Sequence, residues 1–97
     1  LILVPGDKQA SFSKLKKLFQ IKKLRLAQPR EVEEITGYVI GGLPPISIYG
    51  VKTVLNASFE KQKNVLAGGG DSEHLLHISL SELKKSIPDL LIKDVLE

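Results

Sequence analysis

The sequence predicts an α+β fold with a mixed β-sheet, and three observations carry that expectation. Residues 12–20 and 80–87 carry helix signals: Phe12, Leu15, Leu18 and Phe19 share one face at helical spacing, and Ser79-Leu80-Ser81-Glu82 is a capping box. Short apolar or alternating runs of strand character lie between and around these segments. The strands of the middle third are joined too tightly for helical crossovers, whereas those separated by helices are free to run parallel.

The chain opens on Leu1-Ile2-Leu3-Val4, an apolar run that reads as a buried strand and is stopped by the turn triplet Pro5-Gly6-Asp7. This opening reads as the middle or end of a strand, so the sequence is expected to be the C-terminal part of a larger domain. Ser11 or Ser13 can cap a helix that runs to about residue 20, with Ser13 and Lys17 opposite the apolar face. Lys23-Leu24-Arg25-Leu26 alternates with period two, as a half-buried strand does. Gln28-Pro29-Arg30-Glu31 is a helix entry, with proline at the first helical position and an acid in the first turn. Val32 and Ile35 are expected to supply the buried contacts of this helix, and Gly37 to end it. The chain is then loop-like through Gly41-Gly42-Leu43-Pro44-Pro45, and strands are expected at 46–49, 52–55, 64–67 and 74–79, with Asn56 placed to cap a single helical turn. Gly68-Gly69-Gly70-Asp71 is a hairpin-type connection. The capping box at Ser79 starts a helix that runs to about residue 87, where Pro88 stops it, and residues 90–96 form a final strand.

Ninety-seven residues suffice for one domain and not two, so residues 1–97 are expected to form a single domain. With 42% hydrophobic and 26% charged residues and a mean hydropathy of +0.03, the chain can bury a modest core and is neither a disordered tail nor a fibre. No apolar run approaches the roughly 18 residues that span a bilayer. The absence of cysteine excludes a disulfide scaffold, a thiolate nucleophile and a cysteine-ligated metal site. These features lead to the expectation of a soluble, cytoplasmic protein with no membrane partner.

The net charge of +3 conceals an asymmetry: from Lys8 to Arg30 there are eight basic residues and no acidic one, and the rest of the chain carries −5. A one-sided basic segment suits a phosphate backbone, with Lys8, Lys22, Lys23 and Arg25 as the contacts. From charge alone, a solvated helix face followed by an edge strand kept soluble by lysine is the stronger account of it.

A familiar catalytic apparatus is not evident. His74 and His77 are three apart on an expected strand, so they point to opposite faces and cannot chelate one ion together; no metal or cofactor is expected. The serines lack a G-x-S-x-G elbow, the carboxylates cluster on helices, and neither G-x-G-x-x-G nor G-x-x-x-x-G-K-[ST] occurs. The unusual chemistry is in the backbone. Gly41 to Pro45 combines two flexible residues with two that fix φ, which suits either a loop presenting N–H groups to a carbonyl oxygen or phosphate, or a plain structural turn. Gly68, Gly69 and Gly70 permit close approach of another backbone or a ligand, and a plain hairpin is the alternative.

Val4-Pro5-Gly6-Asp7-Lys8, Arg25-Leu26-Ala27, Glu31-Val32-Glu33-Glu34-Ile35-Thr36-Gly37-Tyr38, Gly41-Gly42-Leu43-Pro44-Pro45, Val65-Leu66-Ala67-Gly68-Gly69-Gly70 and Ile78-Ser79-Leu80-Ser81-Glu82-Leu83 follow one another in this order. The ordered set covers nearly the whole chain and resembles the YbaK/EbsC family, the domain related to the editing insertion of bacterial prolyl-tRNA synthetases. The resemblance implies a mixed, partly barrel-like sheet flanked by helices, and a trans-acting hydrolase that removes amino acids wrongly attached to tRNA without a cofactor. Its G-x-x-x-P loop, here Gly41 to Pro45, would position the aminoacyl carbonyl through backbone groups, with ordered water and the substrate's own groups in place of a nucleophilic side chain.

On that reading Gly41, Gly42 and Pro45 are the catalytic candidates, and Leu43, Pro44, Gly68, Gly69 and Gly70 line the substrate pocket. The basic stretch would meet acceptor-stem phosphates. The resemblance also implies a functional lysine on a strand upstream of the segment matching 1–4, which makes this chain the C-terminal two-thirds of such a domain. Ser47 stands where the family commonly has glycine, an exchange expected to reshape the pocket rim. Two functions are expected: editing of alanyl- or cysteinyl-tRNA specific for proline, or a non-catalytic module that binds tRNA or a nucleotide. The expected partners are mischarged tRNA and an aminoacyl-tRNA synthetase, and a homodimer formed through an exposed sheet edge is a third arrangement.

Overall fold

The computed structural model describes residues 1–39, 42–46, 48, 50–70, 75–87 and 89–97. In chain order its elements are β1 (Ile2–Leu3), α1 (Phe12–Phe19), α2 (Pro29–Thr36), β2 (Val54–Asn56), a 3-10 turn (Ala57–Lys61), β3 (Asn64–Gly68), β4 (Leu75–Ser79), α3 (Leu80–Ser86) and β5 (Leu91–Lys93). The fold is α+β, with both strand directions present. β1, β2 and β5 form a parallel sheet in the order β1-β2-β5, and β3 and β4 form a separate antiparallel ribbon.

Register in the parallel sheet sorts the core into two sides. Ile2, Val54 and Leu91 stand in one row and Leu3, Leu55 and Ile92 in the next. Because side chains alternate along a strand, the first row faces one way and the second the other. The first row packs with Leu15, Leu18 and Phe19 of α1 and with Val95. Against the second lie Leu80 and Leu83 of α3, Phe59 of the 3-10 turn, Val65 and Ile78 of the ribbon, and Ile46 from the loop ahead of β2. Helix α1 therefore covers one side, while α3, the ribbon and the loop cover the other.

Local chemistry sets the helix ends. The Ser11 hydroxyl accepts the Lys14 N–H at 3.2 Å and so fixes the start of α1, selecting Ser11 over Ser13. At α3 the Ser79 hydroxyl accepts the Glu82 N–H at 3.2 Å. Pro29 opens α2, and Gly37 closes it with its N–H donating to the Glu33 carbonyl at 2.8 Å. α3 ends at Ser86 with Ile87 as its cap; Pro88 lies outside the described residues.

Several expectations need correction. Residues 23–26 form no strand: Leu24 packs beside α1, Leu26 is 77% exposed, and Arg25 reaches forward to Glu31. Alternation marks a face that could be buried, but a strand also needs a hydrogen-bonding partner, and no described strand lies alongside. Ile35 is 61% exposed and supplies no buried contact. The inward stripe of α2 is the i, i+4 pair Val32 and Thr36, both half-buried, and Ile35 lies roughly 80° off its centre. Ile46 and Ile48 belong to no strand, while Ser47 and Tyr49 lie outside the described residues. The strand expected at 52–55 starts two residues later, at Val54. The strand expected at 74–79 begins at Leu75, with His74 outside the described residues. The final strand is three residues long, and Leu96 instead forms an antiparallel bridge with Ala10.

Asn56 precedes the expected short turn without capping it through its side chain. Its Oδ1 accepts the Val95 N–H at 3.0 Å, and its Nδ2 donates to the Ser58 hydroxyl at 2.6 Å.

Candidate functional site

The two glycine-bearing segments, 26 residues apart in sequence, meet in space. The Gly70 N–H donates to the Gly42 carbonyl at 2.9 Å. Gly68, the last residue of β3, lies so close to the loop that a Cβ there would overlap the Leu43 carbonyl oxygen and come within 2.7 Å of its carbon and 3.2 Å of the Gly42 carbonyl carbon. The close approach that the glycines permit is therefore an approach of backbone to backbone. Gly42, Pro44 and Pro45 are buried, Leu43 and Ile46 half-buried, and Gly69 exposed. Gly41 lies outside the described residues.

The loop is held at both ends. The Gly42 N–H donates to the Val39 carbonyl at 2.9 Å, so this donor is engaged within the loop. Pro44 and Pro45 have no N–H to give. Ile46 seats the far end of the loop on the core side formed by Leu55, Leu80 and Leu83. Beside Pro45 and Ile46 opens a cavity of about 620 Å³, walled further by Val51, Thr53 and Ile87. That volume is within the range of small-molecule sites. Thr53 and Ile87 carry no motif, so the sequence does not single them out; their place at the cavity follows from the ends of β2 and α3 meeting there.

The basic residues lie elsewhere. Leu24 packs on the α1 side of the sheet, opposite the side on which Ile46 sits, and Lys22 and Lys23 adjoin it, both exposed. Lys8 is exposed in the turn after β1. Arg25 donates to both carboxylate oxygens of Glu31, at 2.7 and 2.8 Å, so its guanidinium is held against α2. Those hydrogen bonds, with the Gln28 N–H donating at 3.0 Å, depress the Glu31 carboxyl to about 2. A shallow surface depression between α1 and β5 is bordered by Lys14, Lys17, Leu18, Lys93, Asp94 and Val95, with Lys14 paired to Asp94 at 3.2 Å. Lys93 stands far from the basic segment in sequence, and only the fold brings it there.

His77 is exposed on β4 and His74 lies outside the described residues. Among the described residues no cluster of three metal-binding side chains occurs, and no helix is long and apolar enough to cross a membrane.

Residues 1–86 match the model of the aminoacyl-tRNA editing domain. The chain is 33% identical over 81 residues to the proline–tRNA ligase of Thermosipho melanesiensis, which covers 82% of this chain and 14% of the ligase. It is 35% identical over 81 residues to the proline–tRNA ligase of Nitratidesulfovibrio vulgaris, covering 81% of this chain and again 14% of the ligase. Among solved structures, one described as a hypothetical protein superposes with a TM-score of 0.88 at 35% identity, covering 99% of this chain and 63% of that one. Another, described as a candidate trans-editing enzyme for prolyl tRNA synthetase, gives a TM-score of 0.87 at 31% identity over 100% of this chain and 61% of that one. The chain thus spans about a seventh of the ligases and under two-thirds of the solved chains, and it belongs to the aminoacyl-tRNA editing domain family.

Proposed function

We propose that this chain carries the loop site of an aminoacyl-tRNA deacylase acting in trans, which hydrolyses the ester linking a wrongly attached amino acid to tRNA of the proline class. The observation that carries the proposal is the backbone contact of Gly42–Leu43 with Gly68 and Gly70; of this loop it is Pro45, not the glycines or Leu43, that walls the cavity of about 620 Å³. Family membership and the likeness to proline–tRNA ligases support the substrate class. The 61–63% of the solved chains that this one covers supports reading residues 1–97 as part of a longer domain.

In the proposed reaction a water oxygen adds to the ester carbonyl carbon, and the carbonyl electron pair moves onto its oxygen. Collapse restores the C=O bond and breaks the bond to the ribose oxygen, which leaves with a proton that came from the water. The products are the free amino acid and tRNA with its 3′-terminal hydroxyl restored. Because the Gly42 N–H is engaged by Val39, contact with the developing oxyanion is assigned to Gly41, while Gly42 lets the loop approach β3. Pro44 and Pro45 stiffen the loop, and Leu43 and Gly69 face the substrate. Lys8, Lys22 and Lys23 are proposed to meet RNA beyond the 3′ end. A prolyl-tRNA synthetase is the proposed companion, and the cytoplasm the proposed place of action.

The test incubates the full encoded protein with alanyl- and cysteinyl-tRNA specific for proline and measures amino acid released above the spontaneous rate. Release is expected, with loss of roughly two orders of magnitude in kcat for Gly41→Val, as when one preorganised donor is removed. Full activity of Gly41→Val would overturn the role of the loop. A second reading, a non-catalytic module that binds tRNA or a nucleotide, is supported by the exposed Lys8, Lys22 and Lys23. Salt-sensitive tRNA binding without release would select it.

A further inference from the structure

Gly68 pairs with Leu75 at the end of the β3–β4 ladder, and the ladder alone gives no reason for glycine there. A strand residue of any type can hold that pairing, and glycine weakens a strand. The reason lies across the gap, where the Leu43 carbonyl occupies the space a side chain would take. The nearest carbonyl carbon would be 2.7 Å from a Cβ, where ordinary packing needs at least 3.4 Å.

Two residues on, Gly70 takes φ +106°, a conformation that L side chains rarely adopt, and donates its N–H to the Gly42 carbonyl at 2.9 Å. Two consecutive loop carbonyls therefore face the end of the ribbon. One is held by a hydrogen bond and the other by van der Waals contact. Because the prolines and the seated Ile46 leave the loop little freedom beyond, whatever sets these two carbonyls sets the loop.

We infer that Gly68 is a positioning residue: its missing side chain lets the end of β3 lie against the Gly42–Leu43 peptide and fixes the loop in the shape used for hydrolysis, with Gly70 as the hydrogen-bonded clamp. The catalytic part of this inference rests on the deacylase reading above, and the geometric part does not. Adding a methyl group at Gly68 has to push the Leu43 carbonyl back by most of an ångström. A displacement of about 1 Å at a reacting centre typically costs about 100-fold in rate. Binding of the tRNA body, made elsewhere, is left in place, so the loss falls on kcat rather than KM.

The experiment compares Gly68→Ala with the unmodified full-length protein by amide hydrogen exchange and by deacylation kinetics. Gly6→Ala is the control, since a Cβ at Gly6 meets nothing within 4 Å. Gly68→Ala is expected to raise exchange of the Gly70 amide at least 10-fold while the β3–β4 ladder amides keep their protection. It is also expected to lower kcat about 100-fold with KM within threefold, whereas Gly6→Ala changes neither. Unchanged Gly70 exchange in Gly68→Ala overturns the inference, as does an unchanged kcat in an active protein. If the unmodified protein releases no amino acid, the deacylase reading fails, and the Gly70 exchange still decides whether Gly68 positions the loop. If Gly68→Ala melts the ribbon, Gly70→Ala takes its place: it leaves the Gly68 contact alone but strains the clamp, and equal kcat there refutes the positioning role.

Discussion

Asn56 shows how one side chain ties distant parts of the chain. It is 1% exposed, and its two polar atoms bond the Val95 N–H, 39 residues away, and the Ser58 hydroxyl. Replacing it by alanine leaves a backbone N–H buried without a partner, which costs about 1–3 kcal/mol. Asn56→Ala is therefore expected to lower the midpoint of urea unfolding by that amount of stability, with an unchanged slope. The sequence marks Asn56 as a residue that can cap a short turn, and the turn is there, yet the acceptor is used on β5's continuation. Nothing local encodes Val95 as the partner. Gly68 is similar: its type is legible as permission for close approach, while what approaches is decided 25 residues upstream by the Leu43 carbonyl.

The start of α2 is a small electrostatic unit. Glu31 accepts from both Arg25 and the Gln28 backbone, which lowers its carboxyl from 4.5 to about 2. A carboxyl depressed in the folded state stabilises the fold above its ordinary value, and the contribution is lost as pH falls toward the folded value. Stability is thus expected to fall between pH 4.5 and about pH 2, and Glu31→Gln to flatten that part of the profile. Denaturant midpoints at pH 7, 4 and 2.5 for the two proteins check this; Asp94, lowered by its hydrogen bond to Lys14, contributes in the same direction in both. The cap of α2 is legible because proline and the first-turn acid act within one turn. The exposure of Ile35 is not, since a helix of eight residues offers more than one apolar stripe and packing half-buries Val32 and Thr36 instead.

Across the molecule, the parallel sheet separates the glycine-proline loop from the exposed Lys22 and Lys23. The loop seats through Ile46 on the α3 side, whereas α1 and Leu24, which adjoins Lys22 and Lys23, lie on the other. With principal extents of 35 × 33 × 26 Å, both sides are within reach of one folded RNA. Lys22→Glu combined with Lys23→Glu is expected to raise KM for charged tRNA and reduce the slope of log binding against log salt by about 1 per lysine. kcat should stay within twofold, because these side chains lie away from the loop. A drop in kcat at constant KM would place the lysines at the reacting centre instead.

Features that act over one turn or one connection are legible in the residues themselves. The serine caps, the Pro29 entry, the glycine stop at residue 37, the strand character of 64–67 and the α+β class all follow from neighbours within a few residues. The ordered motifs were also enough to point to the family. Tertiary packing leaves residues 23–26 without a partner among the described strands, turns Arg25 to Glu31, and brings Gly42 and Leu43 against Gly68 and Gly70. Those outcomes depend on which surfaces pack together, and a periodic pattern names a surface without naming what covers it.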